Sequence, residues 1–417
     1  MKSVLFISPM IFHLQLTHYK INRPLGAPLL CSILNKAGHI ASFLDAECLK
    51  WGPRHIKKLV DDYEYDIVAM TVLYHNRHGA IELAKTLCNL MAASNTWKHT
   101  ELWAGGPYAT TNPLDLLYNG FDKVCVGEGE SIILDMIDSK EHIFQGVPVK
   151  DLDTLPVPDY DSCSPGFRAY QGNLPRFEWP EAVSMWTRGC GFPCVFCSNP
   201  VYSCGRPRLM SPGRVKAELV ELKSRGIKHV FVYSDELVGG GPAQNRWLES
   251  VCQEIAPLGL TYKTQGRCNP RNELSTLEAM KNAGFHAVMW GCESLSPKVL
   301  RNLQKGITPE SIWRTLEMSK KAGLRNFLFF MVGGIGEEVE DFEMTRRGLA
   351  EMKKAGLADW VQVSIMTAEP GSTLWPIAQA EGWAKTNSLR SHFSPEWSYP
   401  WADCKELEKR KAVLDNL

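Results

Sequence analysis

Residues 321–332 read KAGLRNFLFFMV. A helix ending at Lys321-Ala322 and closed by Gly323 passes straight into an apolar run of strand length. Glycine just past a helix takes the left-handed conformation that ends it. A short continuous apolar run is the mark of a strand buried on both faces. The same pattern recurs as KAGHI (36–40), SRGIKHVFVY (224–233), NAGFHAVMW (282–290) and KAGLADWVQVSI (354–365). Helix starts fit the alternation: Ser275-Thr276-Leu277-Glu278 has capping-box form, and Thr308-Pro309 offers a cap followed by proline at the first helical position. Helix and strand alternating at this spacing predict an α/β protein with parallel sheets.

The alternation breaks between 146 and 180, in GVPVKDLDTLPVPDYDSCSPGFRAYQGNLPRFEWP, which reads as a proline-rich linker. It divides a Rossmann-like domain over 1–145 from a second domain over 181–380 that begins with the strand AVSMWT (182–187). Six strand–helix units fit there. A closed eight-unit barrel needs ~250 residues, so a partial, open (β/α)6 barrel is expected. Residues 381–417 carry Trp383, Phe393, Trp397, Tyr399 and Trp401 and read as a tail packed on the barrel, helical from Cys404.

The chain has 417 residues, with 46 basic and 46 acidic side chains. That balance gives no electrostatic footprint for nucleic acid. Thirteen cysteines, an odd number, lie mostly singly in apolar settings, which suits a reducing cytoplasm rather than a disulfide framework. The opening MKSVLFISPMIF imitates a signal peptide, but Pro9 interrupts it and no small-residue cleavage site follows; it reads as a buried strand. No run approaches the ~18 apolar residues of a membrane span. A soluble cytoplasmic protein is expected, with no membrane partner.

One tight cysteine group stands out. RGCGFPCVFC (188–197) places Cys190, Cys194 and Cys197 in a loop just after a strand, with Gly189, Gly191 and Pro193 to bend it. Thiolates so spaced suit an iron–sulfur cluster. A zinc site completed by a remote ligand is the alternative, although structural zinc sites usually pair two ligand sets and no second set is present. Three ligands also leave one coordination position open.

This spacing, with Phe196 before the last cysteine, resembles the signature of radical S-adenosylmethionine enzymes. The resemblance implies that the three cysteines hold a [4Fe–4S] cluster and that S-adenosylmethionine chelates the fourth iron. It continues at later strand ends. Ser234-Asp235-Glu236 stands where the family contacts the methionine amino group, and Gln265-Gly266-Arg267 follows the third strand. Gly291-Cys292-Glu293-Ser294 stands where it contacts ribose, and Met331-Val332-Gly333-Gly334-Ile335-Gly336-Glu337 is similar to its turn beside adenine. The cofactor residues so implied are Phe196, Asp235, Glu236, Gln265, Arg267, Glu293, Ser294, Gly333 and Gly334.

In residues 1–145, glycines beyond strand ends let a cofactor approach the sheet's carboxyl edge. No GxGxxG follows the first strand, which argues against NAD. Joined to the barrel, GGPYAT (105–110), VGEGE (126–130) and DLDTLPVPDYD (151–161) resemble the cobalamin-binding subfamily. The resemblance spans about 1–380 and implies cobalamin contacts from Pro9, Thr71, Leu73, Tyr74, His75, Gly105, Gly106, Pro107, Gly127, Glu128 and Gly129. The Asp-x-His-x-x-Gly motif that ligates cobalt elsewhere is absent, so Tyr74 or His75 is left to face the cobalt.

What the resemblance implies is a methyltransferase acting on an unactivated carbon through a 5′-deoxyadenosyl radical and methylcobalamin. Non-methylating cobalamin chemistry (cyclisation, ring contraction, redox) and a cobalamin-free Rossmann domain are the alternatives. A methylthiotransferase would need three N-terminal cysteines at cluster spacing, which Cys31, Cys48, Cys88 and Cys125 do not provide. An iron–sulfur sensor or electron carrier would not need ordered polar residues at successive strand ends. The implied partners are a small molecule or a peptide or protein side chain, such as a methyl-coenzyme M reductase residue, and an electron donor such as ferredoxin or flavodoxin.

Overall fold

The computed structural model describes residues 1–10, 24–93, 99–170, 181–203, 205–383 and 398–417. Phe393 and Trp397 of the expected tail, and 171–180 of the expected linker, lie outside the described residues. The chain forms two compact units, Met1–Val183 and Ser184–Leu417.

The first unit is built on strands β1 (Ser3–Ser8), β2 (Ile40–Asp45), β3 (Ile67–Thr71), β4 (Glu101–Gly105), β5 (Lys123–Val126), β6 (Ile143–Gln145) and β7 (Cys163–Ser164). They run parallel in the order β6-β5-β4-β3-β1-β2-β7. Strand alternation explains why the runs are apolar throughout. Leu5, Ile7, Val68, Met70, Leu102 and Ala104 fill the core on one face, while Val4, Phe6, Ile67, Ala69 and Trp103 fill the core on the other. The chain order reverses between β1 and β3, and the carboxyl edge at such a switch point is where these sheets take ligands.

The proline-rich stretch is not merely a connection. Its Cys163 and Ser164 pair with Phe43 and Leu44 as an edge strand. Asn35 donates to Asp159 (2.8 Å), and the Tyr170 hydroxyl donates to buried Asp45 (2.9 Å). These polar contacts, invisible to hydrophobic periodicity, hold the stretch against the first sheet.

The second sheet holds β8 (Glu181–Ser184), β11 (His229–Val232), β12 (Thr261–Arg267), β13 (Phe285–Glu293), β14 (Arg325–Val332) and β15 (Trp360–Ile365), in the order β15-β14-β13-β12-β11-β8. It is an open six-stranded barrel with helices between strands. A small antiparallel pair, β9 (Thr187–Arg188) and β10 (Arg208–Leu209), closes the base of the cysteine loop. Gly284 shows why the helix-ending glycines are needed: its φ is +109°, and a Cβ there would lie 2.3 Å from Leu260 O.

Thr308 caps its helix as expected, accepting from Ser311 N–H with Pro309 in the first turn. The Ser275 expectation fails. That helix runs Leu274–Ala283 with Glu273 at its N-cap, and Ser275 and Thr276 instead donate to Glu249 (3.2 and 2.7 Å). A helix-facing carboxylate outcompeted the local cap.

The helix Cys404–Asp415 is capped by Asp403, which accepts from Glu406 N–H. Its Leu407 is fully buried, set against Gly333. Among the described residues no helix is long and apolar enough to cross a membrane, and every described cysteine is a free thiol.

Candidate functional site

The strand ends of the barrel and the cysteine loop converge on a cavity of about 210 Å³ lined by Cys190, Asp235, Glu236, Gln265, Arg267, Glu293 and Lys305, with apolar side chains that include Met289 and Phe329. Six of these residues were expected from sequence. A second cavity of about 230 Å³ is lined by Phe196, Cys197, Met331, Ile365, Met366, Thr367 and Glu369. Ser294, Gly333 and Gly334 line neither. Ser294 is fully buried and lies 3.1 Å from Thr345 Oγ1, Gly333 accommodates Leu407, and Gly334 accommodates Val299.

The cysteine loop is tied down from several strands. Gly189 N–H donates to Asp235 Oδ2 (2.6 Å), so Asp235 braces the loop. Ser234 Oγ accepts from Trp186 and Thr187 N–H (both 3.3 Å). Arg267 lies over the Phe192 ring (3.7 Å to the centroid), donates to Cys194 Sγ (3.1 Å) and donates to the Lys305 carbonyl. Asn199 N–H reaches Cys197 Sγ at 3.4 Å.

Lys305 was missed in the sequence because it follows a short helix rather than a strand. Its ammonium pairs with Glu293 at 2.6 Å, both side chains nearly buried. Burial alone would lower the Lys305 pKa, yet Glu293 outweighs it and the shift is upward. Glu293 is held at φ +64°, a conformation that non-glycine residues adopt at a cost of order 1–3 kcal/mol and that clusters at functional sites. Burial raises the Glu236 carboxyl pKa against the pull of Arg267, and its Oε1 has no hydrogen-bond partner. A buried acceptor left open in a cavity is where a ligand donor belongs.

The thiols fit a cluster. Burial pushes Cys190 to about 12 and Cys197 to about 11, and a bound metal would hold both as thiolates. Among the described residues no three His, Cys, Asp or Glu side chains gather as one metal ion would hold them. A four-iron body takes its thiolates farther apart, and N–H donors on sulfur are among the features that tune it.

In the first unit the expected cobalamin residues follow the carboxyl ends of adjacent strands: Pro9 after β1, Thr71–His75 at β3, Gly105–Pro107 at β4 and Gly127–Gly129 after β5. Asn76 shapes the β3 turn, accepting from Leu73 N–H (2.7 Å) and donating to Thr71 O (3.1 Å). Arg77 lies 4.0 Å over the Tyr74 ring, and His75 is exposed. Gly106 (φ +98°) lets the chain pass against Val72 O, which its Cβ would meet at 3.1 Å. Gly127 also has a packing reason: a Cβ there would meet Gly146 O at 2.7 Å. Backbone with little side-chain bulk at a switch point fits a large planar cofactor.

Residues 17–136 match the B12 binding domain and residues 184–349 the Radical SAM superfamily. An uncharacterised methyltransferase of Pyrococcus horikoshii is 29% identical over 88% of this chain and 81% of its own length. The hopanoid C-3 methylase of Methylococcus capsulatus is 24% identical over 84% of this chain and 68% of its own. Among solved structures, the cobalamin-dependent S-adenosylmethionine radical enzyme OxsB with aqua-cobalamin bound shares the fold, with a TM-score of 0.75 at 14% identity. That match covers 99% of this chain, which spans 66% of OxsB's length. The cofactors that go with these two domains are a [4Fe–4S] cluster, S-adenosylmethionine and cobalamin. The chain belongs to the radical S-adenosylmethionine enzymes that carry a B12-binding domain ahead of the barrel.

Proposed function

We propose that this protein is a cobalamin-dependent methyltransferase that places a methyl group on an unactivated carbon of its substrate. The observation that carries the reading is the first cavity. There a cluster cysteine, Cys190, shares one polar space with Glu236, Arg267, Glu293 and Lys305 at the barrel's carboxyl edge. The relatives named as methyltransferase and methylase, matched over most of their length, support the reaction type. The bound cofactors supply hydrogen abstraction by a deoxyadenosyl radical and a transferable methyl group, so the hard chemistry is theirs.

The chain's own residues bind and orient. Cys190, Cys194 and Cys197 would hold the cluster, with S-adenosylmethionine bound beside it. Glu236 takes the methionine ammonium on its open oxygen, and Lys305 offers a fixed cation to the methionine carboxylate. Gln265 and Glu293 accept from ribose hydroxyls, while Arg267 and Asp235 hold the loop. Phe196, Met331, Ile365 and Met366 form an apolar slot suited to adenine. The carboxyl-edge residues Pro9, Thr71, Leu73, Tyr74, His75, Gly105–Pro107 and Gly127–Gly129 would hold cobalamin. Buried, paired charges of this kind are preorganised and need little rearrangement as the reaction proceeds.

The substrate would be a small molecule or an exposed side chain, and a ferredoxin- or flavodoxin-type donor would supply the electron. The test is anaerobic reconstitution with iron, sulfide and hydroxocobalamin, followed by desalting and metal analysis. Cobalt retained beside about four irons, then methyl gain with both S-adenosylhomocysteine and 5′-deoxyadenosine formed, is the expected result. Full iron without cobalt would overturn it.

A further inference from the structure

The three cysteines are bracketed by two carboxylates that follow well-separated strands of the barrel sheet. Gly189, one residue before Cys190, donates its N–H to Asp235 Oδ2 at 2.6 Å. Ser198, one residue after Cys197, donates its hydroxyl to Glu369 Oε2 at 2.9 Å across 171 sequence positions. Asp235 lies just past β11 and Glu369 just past β15. Between these tethers the Val195 carbonyl accepts from Leu374 N–H (3.0 Å), on the same segment as Glu369.

We propose that Glu369 is a positioning residue for the cluster loop, fixing its exit through Ser198 as Asp235 fixes its entry through Gly189. This rests on the reading that the loop holds a cluster. The physical case is one of order and charge. The loop leaves the β9–β10 pair at Arg188 and returns at Arg208, and a segment that long has many conformations unless its ends near the ligands are held. Charge-assisted hydrogen bonds are the stronger class for that task. Glu369 also lines the cavity that Cys197 and Phe196 line, so its negative charge lies on the cluster side of the loop. Added negative charge near an iron–sulfur cluster makes it harder to reduce.

The test compares Glu369→Ala, Glu369→Gln, Ser198→Ala and the double Glu369→Ala/Ser198→Ala with the reconstituted wild type, with Glu381→Ala as an exposed control. Iron release to excess EDTA, the reduced-cluster EPR signal and its reduction midpoint are read, together with melting of the iron-free protein. Glu369→Ala and Ser198→Ala should each release iron on the order of tenfold faster than wild type, as loss of a charge-assisted bond implies. The double variant should be no faster than either single, because both remove one interaction. Glu369→Gln keeps an acceptor but not the charge, so its iron release should fall between wild type and Glu369→Ala while its midpoint moves upward. Release at the wild-type rate with an unchanged EPR signal in both alanine variants would overturn the proposal. Should Glu369→Ala fail to fold, Ser198→Ala carries the same decision. A wild type that takes up no iron would instead overturn the cluster reading itself.

Discussion

Lys305 and Glu293 lie 2.6 Å apart, nearly buried, directly over Gly291. A Cβ at Gly291 would fall 2.8 Å from Glu293 Oε1 and 2.9 Å from Lys305 Nζ. The glycine thus makes room for the ion pair, and the pair closes one wall of the cavity. Removing one partner strands the other charge, which costs about 3–5 kcal/mol at buried sites. Lys305→Met should therefore lower stability to denaturant by about 3 kcal/mol and abolish S-adenosylmethionine cleavage. Lys305→Met with Glu293→Leu should recover most of the stability and none of the cleavage. Gly291→Ala should weaken S-adenosylmethionine binding by displacing the pair, read by equilibrium dialysis.

The cysteines separate by role. Alanine at Cys190, Cys194 or Cys197 should drop reconstituted iron from about four per chain to near zero. Alanine at Cys252, a buried thiol raised to about 12 by burial, should leave iron content and the EPR spectrum unchanged. Iron retained in all three loop variants would remove the basis for the cluster.

What was legible in the sequence was whatever leaves a local trace. The repeated helix–glycine–strand pattern gave the sheets because a strand buried on both faces must be apolar along its length, as Phe327 to Val332 of β14 are. The cysteine loop was legible because its ligands are close in sequence. Lys305, Glu369 and Ser198 were not, because their roles depend on contacts across 12 and 171 positions that no local pattern encodes. Gly333 and Gly334 looked like a cofactor turn, and in the folded chain each admits a packing side chain, Leu407 and Val299. A glycine's reason is a neighbour, and the neighbour is only known in three dimensions.

Asp45 makes the first unit sensitive to pH. Fully buried, its carboxyl is raised to about 6, chiefly by burial, with the Cys48 N–H and Tyr170 hydrogen bonds opposing. A carboxyl whose folded pKa exceeds its unfolded value binds more protons when folded. Its contribution therefore favours the fold at low pH and is lost as pH rises from about 4 to 6. Asp45→Asn should make the variant more stable than wild type at pH 7, by about 1–3 kcal/mol. The difference should shrink toward pH 4. A difference independent of pH, in urea denaturation at both values, would show that the group does not titrate in this range.

The C-terminal helix is joined to the barrel rim by a second buried pair. Arg410 Nη1 meets Glu337 Oε1 at 2.9 Å, and that same oxygen accepts from Gly333 N–H at 3.1 Å. Leu407 fills the space that a Gly333 side chain would take, with Cδ2 2.7 Å from the position of a Cβ. Gly333→Ala meets two penalties, the clash with Leu407 and the strain of a side chain at φ +81°. It should cost about 2–4 kcal/mol. Leu407→Ala alone should cost about 2–5 kcal/mol for the cavity it leaves. The double variant should be less destabilised than the sum of the two, because the clash is relieved while the φ strain remains. Strict additivity in the denaturation cycle would mean that the helix Cys404–Asp415 does not seat on the Gly333 turn.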